Sequence, residues 1–123
     1  MAAITTHVLD TARGCPAAHI TVRLEVESPK QANITGDDES RWKRLAQGTT
    51  DADGRLSNLW PPDTPLAAGN YRLTFETGEY FRDLELPVFY PEVRVTFRVE
   101  DDSERYHVPL LLSPYGYSTY RGS

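Results

Sequence analysis

The sequence is poor in the residues that hold disulfides and metals. Its 123 residues include one cysteine and three histidines. Cys15 has no second thiol with which to form an internal disulfide, and no Cys and His residues have the spacing of zinc ligands. We therefore expect a protein that holds no metal ion and no other cofactor.

An excess of basic charge and long apolar runs are also missing. Lys and Arg number 13 against 18 Asp and Glu, which gives a formal net charge of −5 at pH 7. Because nucleic acid binding needs a basic face, we expect no nucleic acid partner. No apolar run approaches the roughly 20 residues that cross a bilayer. Residues 1–6 lack the regions of a secretory signal. These absences predict a cytoplasmic protein without a membrane partner.

The length of the chain limits its organisation. A chain of 123 residues can bury one hydrophobic core but not two. No internal repeat or linker interrupts it, and it has neither a Gly-x-Ser-x-Gly elbow nor a phosphate-binding glycine loop. We therefore treat residues 1–123 as a single domain.

Apolar and polar residues alternate along much of the chain. Between residues 20 and 26 every second side chain is apolar, which is typical of a half-buried strand because successive side chains point to opposite faces of a sheet. The same pattern, strong or weak, predicts strands at residues 4–9, 19–27, 42–47, 71–76, 93–99, 106–112 and 117–120. Short strands separated by Gly- and Pro-rich turns predict an all-β protein, an antiparallel β-sandwich.

Two stretches interrupt the alternation. Residues 30–40 are polar and predict a loop between strands. Residues 77–86 are rich in long side chains and predict one or two helical turns, with Thr77 as the N-cap and Glu79 in the first turn. Pro87 then ends the segment.

The three histidines differ in their sequence contexts. His19 falls on the polar face of its predicted strand and is interpreted as a surface residue. His7 and His107 lie in the middle of predicted strands, where a structural role would explain each of them. Imidazole is nevertheless the best general base near neutral pH, so these two are the first catalytic candidates. Arg55 follows the turn Asp53–Gly54, and turn chemistry alone explains that glycine.

The end of the chain is unusually apolar and aromatic between residues 109 and 120. Chain ends are commonly polar and frayed. We therefore expect this segment to form a packed last strand and to contribute to a subunit interface.

Several of these segments together resemble one family. The ending, Tyr106 to Ser123, is similar to the signature of 5-hydroxyisourate hydrolases, and so is the opening Thr6-His7-Val8-Leu9-Asp10 followed by Gly14-Cys15-Pro16-Ala17. The segments at residues 50–55, 69–72 and 89–92 occur between them in the expected order. The similarity covers nearly the whole chain, and residues 30–40 match least.

The resemblance implies a fold and an activity. The fold is a transthyretin-like antiparallel β-sandwich of two four-stranded sheets with one short helix. The family forms homotetramers, dimers of dimers with active sites in the channel between dimers. The implied reaction opens the lactam ring of the small-molecule substrate 5-hydroxyisourate to give 2-oxo-4-hydroxy-4-carboxy-5-ureidoimidazoline in urate degradation.

The resemblance also implies the site residues, which are His7, Arg55, His107, Tyr120, Arg121, Gly122 and Ser123. We expect one of the two histidines to be the general base on water. The two arginines face the oxyanion or hold the ring. Tyr120 and Gly122 bind substrate, while Ser123 orients water or a histidine. Arg105 departs from the family, since many relatives carry histidine there.

Two other functions remain open. A carrier of a small aromatic molecule would share the transthyretin-like fold and its channel. A structural or adhesive module is what the strand pattern favours when it is taken without the resemblance. An assay on 5-hydroxyisourate distinguishes the enzyme from the carrier, and a monomer in solution would favour the module.

Overall fold

The computed structural model describes residues 3–28 and 41–122. This part of the chain folds into nine strands and one helix. They are β1 (Ile4–Asp10), β2 (Cys15–Pro16), β3 (Thr21–Glu27), β4 (Trp42–Thr49), β5 (Arg55–Leu56), β6 (Gly69–Phe75), α1 (Thr77–Asp83), β7 (Val93–Val99), β8 (Tyr106–Ser113) and β9 (Gly116–Thr119). The predicted all-β class with one short helix is confirmed. The predicted loop at residues 30–40 lies outside the described residues.

The strands form two sheets. One sheet has the order β4-β3-β6-β7 and is antiparallel throughout. The other has the order β2-β1-β8-β9, with β5 also paired to β1. This second sheet differs from the expected four antiparallel strands, because it includes a fifth short strand and β1 runs parallel to β8. These two strands lie at opposite ends of the sequence, so no hairpin fixes their relative direction.

The core lies between the two sheets. Alternate side chains of each strand point inward, as the period-two pattern requires. In β1 the residues Ile4, Thr6, Val8 and Asp10 are buried, whereas the residues between them are half-buried on the outer face. The largest fully buried side chains are Phe75, Phe81, Ile4, Ile20, Leu24, Leu73, Leu110 and Leu112. The inner face therefore stabilises the sandwich, and the outer face of β1 and β8 is left available for chemistry.

Helix α1 begins at Thr77, so the prediction of Thr77 as the N-cap was wrong. Glu76 occupies that position without a side-chain hydrogen bond. The Thr77 hydroxyl is buried and donates instead to the carbonyl of Tyr90, 3.4 Å away. The helix ends before the predicted residue 86 because Glu85 has a left-handed φ of 59°. The N–H groups of Glu85 and Leu86 then donate to the carbonyls of Arg82 and Phe81, which is a Schellman ending. No helix within the described residues is long and apolar enough to span a membrane.

The tail is paired with β8. Strand β9 is antiparallel to β8, with Leu110 opposite Thr119 and Ser113 opposite Gly116. A single bridge between His107 and Gly122 continues the same register. The expected packed last strand is thus present, and it brings the tail beside the second candidate histidine.

Candidate active site

The outer face of the β1–β8 pair carries both candidate histidines. In the parallel register Thr5 lies opposite His107 and His7 lies opposite Pro109. His7 and His107 are both half-buried, and both alternate with residues that point into the core. The pairing of the two ends of the chain therefore places the two imidazoles on one face of one sheet.

Arg55 joins this face through β5. It is the direct partner of His7 in the antiparallel β1–β5 pair, and directly opposite residues project to the same side of a sheet. The turn before it is held by Asp51, whose carboxylate accepts the N–H groups of Asp53 and Arg55 at 2.9 and 3.0 Å. A local turn held by the Asp51 carboxylate thus places Arg55 on the same face as the histidines.

Gly54 allows this turn to lie against β1. Its φ is +74°, and a Cβ at this position would lie 2.4 Å from the carbonyl oxygen of Val8. The carbonyl of Gly54 accepts the N–H of Val8 at 2.8 Å. The glycine is therefore required both by its left-handed conformation and by the close approach of two backbones.

The His7 ring is held from the same turn. Its Nε2 lies 3.1 Å from the carbonyl oxygen of Asp53. A carbonyl only accepts hydrogen bonds, so Nε2 of His7 carries a hydrogen that it donates. His7 is thereby held in one orientation beside Arg55.

The His107 ring is held from β1. Its Nδ1 lies 2.8 Å from the hydroxyl oxygen of Thr5. Burial lowers the pKa of His107 below its usual value, and the charges of Arg55 and His7 lower it further, while a hydrogen bond with the Thr5 backbone acts in the opposite direction. The ring is therefore biased toward its neutral form, which is the form that a general base needs.

The tail covers one side of the His107 ring. The N–H of Gly122 donates to the carbonyl of His107 at 2.8 Å. A Cβ on Gly122 would lie 2.6 Å from Cδ2 of His107 and 3.3 Å from Pro109. Tyr120 is exposed on the same segment. In the continued register Tyr120 is opposite Pro109, which puts it on the face of the histidines.

The structure places the Arg121 side chain apart from the two histidines. Its guanidinium pairs with Glu104 at 2.7 Å and lies 4.6 Å from the centre of the Tyr106 ring. The reason is strand alternation: Arg121 lies between Tyr120 and Gly122 and so projects to the opposite side. There residues 119–121 line a cavity of about 260 Å³ against β7.

Ser123 lies outside the described residues. Two other positions that the sequence singled out, Arg105 and His19, lie outside this cluster. Arg105 is exposed just before β8. His19 is exposed as expected, but it precedes β3 in a left-handed conformation with a φ of 65° and is not part of the strand. Within residues 3–28 and 41–122, no group of three or more His, Cys, Asp or Glu side chains is arranged to hold a metal ion.

Sequence reasoning missed three residues that shape the site, namely Thr5, Asp51 and Asp53. Thr5 lies two residues before His7 in β1, so the alternation of the strand predicts that both side chains lie on its outer face. The contact of Thr5 with His107, 102 positions away in sequence, could not be predicted from that pattern. Asp51 precedes a turn glycine in a way typical of Asx turns, which was the available signal for its role.

Similarity to known proteins extends over nearly the whole chain. A model of the HIUase/Transthyretin family matches residues 4–122. The 5-hydroxyisourate hydrolase of Salmonella typhimurium is 44% identical over 120 residues, which cover 98% of this chain and 80% of that protein.

Two solved structures of similar fold come from proteins with different functions, a hydrolase and a transthyretin. The structure of Klebsiella pneumoniae 5-hydroxyisourate hydrolase has a TM-score of 0.75 at 32% identity and covers 98% of both chains. Sea bream transthyretin in complex with thyroxine has a TM-score of 0.81 at 27% identity and covers 98% of this chain and 94% of the other. Fold similarity alone therefore does not separate enzyme from carrier. The extent of the family match and the identity to its members show that this chain belongs to the HIUase/Transthyretin family.

Proposed function

We propose that this protein hydrolyses 5-hydroxyisourate, opening its lactam ring to give 2-oxo-4-hydroxy-4-carboxy-5-ureidoimidazoline. The observation that carries the proposal is the convergence of His7, Arg55 and His107 on one outer face, with Gly122 against the His107 ring. Two imidazoles and a guanidinium supply a base and a cation, which is what water attack on a carbonyl requires. Relatives named for this activity support the substrate.

His107 is the general base in this scheme. Burial, and after it the charges of Arg55 and His7, lower the pKa of His107, which leaves the ring unprotonated near neutral pH. Its Nδ1 lies 2.8 Å from the Thr5 hydroxyl, and we assign the acceptance of the proton to Nε2. His7 is the second imidazole of the site. The Nε2–H of His7 donates to the backbone carbonyl of Asp53, and His7 contributes to binding the substrate ring.

Arg55 stabilises the oxyanion in this scheme. Its guanidinium is permanently charged and planar, so it can donate two parallel hydrogen bonds to an oxygen or to the edge of a purine-like ring. Its position opposite His7 brings that charge to the face of the sheet that carries the two histidines. Arg121 is engaged by Glu104, so its contribution is to hold the tail rather than to bind the oxyanion.

The reaction then balances with one water molecule. Nε2 of His107 takes a proton from water as its oxygen attacks the lactam carbonyl carbon. The carbonyl oxygen becomes an oxyanion beside Arg55. When this intermediate collapses, the ring C–N bond breaks, its electron pair passes to nitrogen, and the His107 imidazolium returns the proton to that nitrogen. General base catalysis of this kind contributes typically about 10²–10⁴-fold.

The tail completes the pocket, and a second copy of the chain closes it. Tyr120 and Gly122 are assigned to the rim that binds the substrate, and Ser123 is assigned to orienting water or a histidine. Aromatic side chains continue along this edge. The ring centroids of Phe89 and Tyr115, both exposed, are 6.0 Å apart, and those of half-buried Tyr90 and exposed Tyr117 are 5.3 Å apart. A cluster of exposed aromatic rings favours association, and we assign it to a homotetramer that is a dimer of dimers. Sedimentation at assay concentration tests this assignment, and a monomer would contradict it.

The experiment is an ultraviolet assay on freshly generated 5-hydroxyisourate. We expect the wild type to accelerate its decay far above the spontaneous rate, and His107→Asn to lose most of that acceleration. His19→Asn is the matched control, because His19 is exposed and outside the cluster. Near-wild-type turnover in both His107→Asn and His7→Asn would rule out the scheme.

A carrier function is the second candidate, and the similarity to a thyroxine-bound transthyretin favours it. A carrier would bind a small aromatic molecule without consuming it. Decay of 5-hydroxyisourate at the spontaneous rate, together with saturable thyroxine binding by calorimetry, would replace the hydrolase with the carrier.

A further inference from the structure

One hydrogen bond at the site joins the proposed base to a residue that is neither a histidine nor an arginine. The hydroxyl oxygen of Thr5 lies 2.8 Å from Nδ1 of His107. The two residues are direct partners in the parallel β1–β8 pair. The pairing of the two strands places Thr5 beside the His107 ring, so their contact does not depend on the conformation of a loop.

The Thr5 contact lies at Nδ1 of His107 and so bears on which ring nitrogen carries the hydrogen. When the neutral ring carries its hydrogen on Nδ1, that nitrogen donates to the Thr5 hydroxyl oxygen and Nε2 holds the lone pair. When the hydroxyl donates instead, Nδ1 holds the lone pair and Nε2 carries the hydrogen. Only the first arrangement leaves Nε2 able to accept a proton.

The opposite edge of the ring is fixed by the tail. Gly122 approaches so closely that a Cβ would lie 2.6 Å from Cδ2, the carbon bonded to Nε2. The ring therefore has little room to flip, since a flip would exchange Nδ1 with Cδ2 and break the bond to Thr5. Thr5 on one side and Gly122 on the other leave one orientation of His107.

We propose that Thr5 is a positioning residue that holds His107 as the Nδ1–H tautomer, so that Nε2 points its lone pair at the water to be activated. Thr5 acts through His107 and does not touch the reacting atoms. The proposal rests on the proposed hydrolase function, whereas the tautomer can be measured independently of turnover.

Thr5→Val removes the hydroxyl while it keeps the β-branched shape, and Thr5→Ser is the matched variant that restores the hydroxyl. ¹⁵N spectra of histidine-labelled protein, recorded above the lowered pKa of His107, distinguish a protonated from a bare ring nitrogen. The His107 signals are assigned by their loss in His107→Asn. We expect Nδ1–H alone in the wild type and in Thr5→Ser, and a mixture of tautomers in Thr5→Val. Thr5→Ala is measured beside it, should valine be poorly tolerated.

Turnover provides the second readout. Loss of a residue that orients a catalytic group typically costs about 10- to 100-fold in activity. We expect Thr5→Val to lower kcat by that amount with little change in KM, and Thr5→Ser to recover it. A bare Nδ1 in the wild type, or an unchanged tautomer or unchanged kcat in both Thr5→Val and Thr5→Ala, would overturn the proposal. If the wild type does not accelerate decay of 5-hydroxyisourate, the hydrolase function fails, and the spectra alone decide whether Thr5 sets the tautomer.

Discussion

Gly122 lies against the ring of His107, with its N–H bonded to the His107 carbonyl at 2.8 Å and no space for a side chain between them. The last residues described by the structure thus pack against the His107 ring.

Replacing this glycine should damage catalysis more than folding. A Cβ on Gly122 would meet Cδ2 of His107 at 2.6 Å, so Gly122→Ala must displace the ring or the tail. We expect a loss of up to about 100-fold in kcat, since a misplacement of about 1 Å costs that much. Gly116→Ala is the control, because its added Cβ has only an ordinary contact at 3.7 Å. Steady-state assays and thermal melts compare the two, and equal kcat values would contradict the role of the contact.

The pH dependence of turnover should follow His107. Its pKa lies below the ordinary histidine value, and the neutral form is the active one, so activity is retained at neutral pH and lost as pH falls through the lowered pKa. Arg55→Gln removes a charge that lowers this pKa, so the acid limb of kcat/KM should move to higher pH. Arg44→Gln on the exposed face of β4 should leave it in place. A limb that does not move in Arg55→Gln would exclude His107 as the titrating group.

The two arginines should differ in their effects on kcat. Removing one oxyanion donor costs about 10²–10³-fold, and we expect this for Arg55→Gln. Arg121→Gln should leave kcat nearly unchanged, because its guanidinium pairs with Glu104 and lies over Tyr106. Glu104→Gln serves as its partner control and should behave in the same way. If Arg121→Gln lowered kcat as much as Arg55→Gln, Arg121 would have to be assigned to stabilising the oxyanion.

The turn that carries Arg55 should not tolerate a side chain at Gly54. Both Gly14 and Gly54 have a positive φ, but an added Cβ meets nothing within 4 Å at Gly14 and the Val8 carbonyl at 2.4 Å at Gly54. Gly14→Ala should therefore cost only the left-handed strain, about 1–2 kcal/mol. Gly54→Ala should cost about 1–3 kcal/mol more for the steric clash. Urea unfolding measures both, and equal midpoints would show that the turn moves freely away from β1.

Local sequence patterns predicted the elements well. Alternation placed β1, β3, β7 and β8 within two residues of their observed ends, because a strand with one buried face must repeat every second residue. It was less reliable at segment ends. His19 was assigned to a strand that begins at Thr21, and Thr77 was assigned to a cap that it does not form. Both residues are instead engaged by distant parts of the chain, His19 through its N–H to the Thr50 carbonyl and Thr77 through Tyr90.

By itself, the sequence determined the strand periods, the site residue types and the family resemblance. Only the tertiary structure decided how these residues meet. The parallel pairing of β1 with β8 joins Thr5 to His107, and the antiparallel tail joins Gly122 to the same ring. Strand alternation within that tail turns Arg121 away from the site toward Glu104. These outcomes depend on register between segments distant in sequence, and a shift of one residue would move every side chain to the other face.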